Sequence, residues 1–188
     1  MVSIKPQAKK IRWFRRIHRK ISIALMLFFL LIAATGILLG LKKQAGLLAP
    51  TQKGESADFS KWLPVDSLQK KAIIYLRDSV SNQLSARLDR IDIRPDKGIA
   101  KFIFKDHYWG LQLDCTTGEL LLKEKRTSDF IENLHDGSIL DKILGTSDEQ
   151  IKASYMTLTG IGLVVLIISG FWLWFGPKRI RKLKNQGK

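Results

Sequence analysis

The chain has 188 residues, with 32 Lys and Arg against 17 Asp and Glu, a formal net charge of +15. Its single cysteine, Cys115, excludes an intrachain disulfide framework, covalent c-type haem and any all-cysteine zinc or iron–sulfur site. Three histidines, His18, His107 and His135, are too few for a dense histidine metal cluster.

The charge is concentrated at the ends. Residues 1–20 carry eight basic groups and no acid, and residues 177–188 carry six and no acid. The 18 basic and 17 acidic groups between them nearly cancel. Each tail borders an apolar run: Ile21 to Leu41 is 21 residues without a charge, and Ala153 to Pro177 is 25. A 21-residue helix reaches about 31 Å, the thickness of a bilayer's hydrocarbon core. A soluble helix keeps a polar face, which FFLLIAATGILLGL and GIGLVVLIISGFWLWF lack. Both runs are therefore expected to span a membrane, at 21–41 and 153–176. A cleaved signal peptide is disfavoured for the first run, because its apolar part is too long and no small-x-small site follows it.

The positive-inside rule then puts both termini in the cytoplasm of a two-pass inner-membrane protein, with the central domain periplasmic. Trp13 and Phe14 before the first span, and Phe171, Trp172, Trp174 and Phe175 closing the second, suit the same headgroup level. The basic tails at 1–20 and 177–188 thereby read as topology signals facing a lipid bilayer, not as nucleic-acid ligands.

Between the spans, residues 42–60 are aperiodic and read as a linker. In WLPVDSLQKKAIIYLRDSV, Pro64 suits a first helical turn, and Val65, Leu68, Ala72, Ile73 and Leu76 share one helical face. RLDRIDI, IAKFIFK, YWGLQLD and ELLLKE then read as four strands, with RPDKG and DCTTG as turns. The expected fold is membrane α+β: two transmembrane helices flanking a small extracytoplasmic domain of one helix and an antiparallel meander, at 61–127. In 128–152, FIENLHDGSILDKILG reads as an amphipathic juxtamembrane segment.

The helix, the strands and the turn Asp114-x-x-Thr117-Gly118-Glu119-Leu120 resemble the PepSY module. The flanking RRIHRKISIALMLFFLLIAATGILLG, the ENLHDGSIL segment and the ending Ser169-Gly170-Phe171-Trp172-x-Trp174 resemble the PepSY-associated transmembrane family, in a small two-span form. The resemblance implies a context in iron and siderophore uptake, with b-type haem held by membrane histidines in larger relatives. PepSY modules elsewhere regulate or chaperone peptidases, so a binding or assembly module and a regulator of an exported peptidase stand beside electron transfer as readings.

His18 and His135 are the candidate haem b ligands. They are expected near opposite interfaces, roughly 30 Å apart, too far to hold one haem between them. A homodimer pairing like histidines, or a larger membrane complex, would supply the second ligand. His107 falls in a turn and reads as structural. His135-Asp136 lacks the other ligands of a metal phosphohydrolase. No P-loop, nucleophile elbow or complete catalytic set is present. Small residues mark helix-packing faces: Gly36 and Gly40 as a GxxxG, and Gly162, Ser169 and Gly170 on the second span.

Overall fold

The structure is a computed structural model that describes residues 4–146 and 149–186. The chain divides into two units, one formed by residues 1–37 and 133–188, the other by residues 38–132.

The first unit is dominated by two long helices, α1 (Ile4–Gly40) and α5 (Gln150–Gln186), each 37 residues and long and apolar enough to cross a membrane. Both continue without a break from the apolar run through the adjoining basic tail. Pro177 sits inside α5, after Gly176. The two helices lie antiparallel and meet along a seam that steps by seven residues in opposite directions. Ile11 faces Gly176, His18 faces Ser169, and Leu25 faces Gly162. A seven-residue step is what keeps one stripe of an α-helix turned toward a partner. At each rung α1 supplies the large side chain and α5 the small one. The fit is close: a Cβ on Gly176 would stand 3.0 Å from Ile11, and one on Gly162 would collide with Leu25 Cδ1. Phe14 against Trp172 fills in between the first two rungs, and Phe28 against Tyr155 packs beyond the third, with ring centroids 5.6 and 5.9 Å apart.

Short helix α4 (Ser138–Leu144) precedes α5. Asp141 ties them together by accepting the backbone N–H groups of Ile151 and Lys152 at 3.1 and 2.8 Å. The Thr146 hydroxyl, donating to Asp141, and then these N–H groups hold its carboxyl below the usual range. Asp136 also sits below its usual value. Burial works against its charge, but the Ser138 N–H and Lys152, 3.2 Å away, outweigh it.

The second unit holds helix α2 (Val65–Ser79) and a sheet of β1 (Leu88–Arg94), β2 (Ile99–Phe104), β3 (Trp109–Asp114) and β4 (Leu120–Lys125), antiparallel throughout in the order β1-β2-β3-β4. Pro64 stands just before α2 rather than within its first turn. Strand alternation sends Ala100, Phe102, Phe104, Leu111 and Leu113 to one face, where Leu68, Ala72 and Leu76 of α2 cover them. Cys115 joins this core, and burial, then the Asp114 charge, push its thiol up to about 11. Helix α3 (Thr127–His135) follows the sheet, and the boundary between the units falls within it.

The opposite face of the sheet sets Lys101, Gln112 and Asp114 beside the buried Ile99 and Ile103, and extended chain bonds to it. Gln112, fully buried, accepts from Gln52 N at 3.0 Å and donates to Pro50 O at 3.0 Å. Asp114 accepts from Glu55 N at 2.6 Å, and Gly54 N donates to Lys97 O at 2.8 Å. Gly54 and Gly98 approach so closely that a Cβ on either would collide with backbone. Residues 50–55, within the stretch read as a linker, are thus strapped to the sheet by specific bonds.

Candidate functional site

The second unit accounts for the Asp114-x-x-Thr117-Gly118-Glu119-Leu120 motif in structural terms. Asp114 Oδ1 accepts the N–H groups of Thr116 and Thr117 at 2.6 and 3.1 Å, while Oδ2 holds the strap. Gly118 takes φ +70° to close the turn into β4. The carboxylate's acceptors are spent on backbone, so this motif builds the fold. His107 is likewise committed: Nε2 bonds Ser85 O at 3.0 Å, and Nδ1 accepts from Trp109 N at 3.2 Å.

The other two histidines lie in the helix unit and share one arrangement. His18 Nδ1 is 2.8 Å from Ser169 Oγ, and Ser169 Oγ donates to Leu166 O at 3.2 Å. His135 Nδ1 is 2.9 Å from Thr35 Oγ1, and Thr35 Oγ1 donates to Leu31 O at 2.6 Å. A hydroxyl has one proton. When that proton goes to the helix carbonyl, the hydroxyl oxygen accepts from the imidazole, Nδ1 carries the ring proton and Nε2 is the lone-pair nitrogen. Among the described residues, the hydrogen bonds of both rings run only through Nδ1.

Glycine makes room for each ring. A Cβ on Gly170 would stand 3.6 Å from His18 Cε1, and one on Gly36 would stand 3.4 Å from His135 Cε1. The small residues singled out in the sequence thus do several things. Gly36, Ser169 and Gly170 seat imidazoles, and Gly162 seats Leu25. A Cβ on Gly40 would meet nothing within 4 Å, so within this chain Gly36 and Gly40 do not act as one face. Thr35 carries no mark in the sequence beyond being a hydroxyl inside an apolar run. That is itself a signal, because a polar side chain in a membrane span needs a partner.

The two seats are far apart. Ser169 meets α1 at His18 and His135 meets it at Thr35, and the helix rises about 25 Å over that interval. One haem cannot reach both. Each seat nonetheless offers one imidazole, held through Nδ1 by a hydroxyl. Among the described residues, no cluster of three or more His, Cys, Asp or Glu could hold a metal ion. Each histidine therefore stands as a single candidate ligand, one per seat.

The family model described as "PepSY-associated TM region" matches residues 1–176. No curated protein and no solved structure matches the chain.

Proposed function

The chain belongs to the PepSY-associated TM family, as a two-pass membrane protein of PepSY type, and we propose that it serves iron or siderophore uptake by carrying electrons through haem b held at His18 and His135. The observation that carries this reading is the matched pair of imidazoles, each held through Nδ1 with Nε2 left for a ligand. Haem b, when bound, supplies one-electron redox chemistry. The chain's own residues set the terms. Ser169 and Thr35 hold the orientation of each ring, and Gly170 and Gly36 leave each ring its space. One histidine per seat means that the second axial ligand comes from outside the chain. A second copy would pair His18 with His18 and His135 with His135, and a partner in a larger complex would do the same.

The orientation belongs to the same reading. Fourteen basic residues and no acid in the two tails support cytoplasmic termini, an inner-membrane location and a periplasmic second unit. His18 then lies toward the cytoplasm and His135 toward the periplasm, one station on each side.

The test is the absorption spectrum of the full-length protein purified from haem-replete cells. The expected result is a reduced b-type α-band, diminished by His18→Ala and by His135→Ala. Ser169→Ala and Thr35→Ala weaken haem retention about ten- to a hundredfold, the usual cost of losing an outer-shell partner. A colourless protein overturns this reading.

A second reading has an observation of its own. A cleft of about 320 Å³ in the second unit is lined by Arg94, Lys101 and Lys125 together with Asp92, Glu124 and Glu132. Opposite charges facing one opening suit a polypeptide carrying both signs, which supports the binding or assembly role. A colourless protein leaves that role standing.

A further inference from the structure

The basic end of the helix pair contains a built cavity, separate from both histidine seats. It measures about 160 Å³, roughly five water volumes. Gln7, Lys10 and Ile11 of α1 and Trp172, Gly176 and Arg179 of α5 line it. Its cations have no acid nearby in sequence, because neither tail contains Asp or Glu. Its wall also contains an orphan donor. The Trp172 indole N–H is buried and has no hydrogen-bond partner among the described residues. Gly176 packs beside it, 3.8 Å from Nε1 to the place a Cβ would take.

Two uncompensated cations, a side-chain amide and a spare N–H around one small cavity call for an oxygen-rich anion. The cavity lies beside Trp172, on the charged flank of two helices that cross a bilayer, where aromatic rings sit at headgroup depth. We propose that this cavity binds the phosphate of an anionic phospholipid, with Lys10 and Arg179 as the charged donors and Gln7 and Trp172 as the neutral ones. The site goes beyond non-specific attraction of the basic tails to lipid. It names two cations out of fourteen and one indole. It does not depend on haem binding.

The experiment uses the full-length protein in nanodiscs of phosphatidylcholine containing a minor share of phosphatidylglycerol, followed by detergent extraction and mass measurement of the lipid retained. The expected result is retained phosphatidylglycerol. The Lys10→Gln/Arg179→Gln variant lowers that retention about tenfold more than the control Arg12→Gln/Lys182→Gln, which removes the same charge away from the cavity. Trp172→Phe keeps the ring, removes the N–H and lowers retention by a smaller factor. Helix content by circular dichroism checks that each variant is folded. Equal loss in the two double variants means diffuse surface attraction and overturns the proposal. So does retention of phosphatidylcholine in place of phosphatidylglycerol. Addition of inorganic phosphate separates the sources: an unchanged lipid count supports a lipid-borne phosphate, and displacement of the lipid at low concentration means a site for free phosphate and overturns the lipid assignment.

Discussion

The two units bury opposite kinds of residue. In the sheet unit the fully buried positions are mostly apolar, with Gln112 the polar exception: Phe102, Phe104, Leu68, Leu76, Leu111 and Leu113 are each 2% exposed or less. In the helix unit the most buried positions include Ser169, Thr35 and Thr159, while Leu27, Ile23 and Ile167 lie open. The difference follows from the solvent each unit meets. Water drives apolar surface inward, at about 25 cal/mol per Å². Lipid exerts no such drive between helices, so close backbone approach and hydrogen bonds decide which faces meet. The seven-residue ladder, with Ile11, His18 and Leu25 each set against Gly or Ser, is that rule written along one seam.

The largest test of this contrast compares two truncations. Phe102→Ala empties the sheet core and costs about 3–5 kcal/mol. Hydrogen exchange on the full chain in nanodiscs will show β2 and β3 losing protection. Leu27→Ala removes a comparably apolar group from a position 71% exposed within α1, and exchange in both units stays as it was. A large loss of protection from the Leu27 change would show that the helix unit is held by burial in the way the sheet unit is.

The next test is internal to the helix unit. Gly162→Leu forces a side chain into the space of Leu25, and overpacking of this kind costs about 1–3 kcal/mol. Gly160→Leu, where a Cβ meets nothing within 4 Å, is the matched control. The thermal midpoint of the full-length protein in detergent will fall for the first and hold for the second. A fall for both would mean that the face bearing Gly160 is also covered, as it would be in a dimer.

The sequence carried most of the architecture for the same physical reasons. Charge-free runs of bilayer length marked α1 and α5, and short apolar, β-branched and aromatic runs between turn signals marked β1 to β4 within a residue or so of their observed limits. The histidines stood out through scarcity. Their partners were less legible. Ser169 read as one more small residue, and Thr35 did not stand out, because the bonds that give them meaning join positions 151 and 100 residues apart. Gly176 escaped notice as the third rung below Gly162 and Ser169. The strap was illegible for a different reason. Residues 50–55 have no periodicity, and their anchor, Gln112, lies on a strand whose alternation suggested a solvent-facing side chain. A buried glutamine pairing with backbone leaves no local pattern.

The smallest effect concerns His107, the one histidine outside the helix unit. Burial first, and the Arg126 charge in addition, press its pKa below 6.5, against the opposing pull of the Ser85 carbonyl and Asp106. The geometry agrees, because Nδ1 must stay unprotonated to accept the Trp109 N–H. The unfolded chain therefore binds this proton more readily than the folded one, and stability falls as pH falls. The contribution is complete above pH 6.5 and is lost progressively as pH drops from there through the lowered folded value. Hydrogen exchange at the β2–β3 turn will rise over that window in the wild type and stay flatter in His107→Gln, which cannot titrate. The amides of α1 and α5 will show no change that depends on His107. An exchange step at the turn that survives His107→Gln would assign the pH response to the carboxylates instead, with Asp106, bonded to Ser85 at 2.6 Å, the nearest.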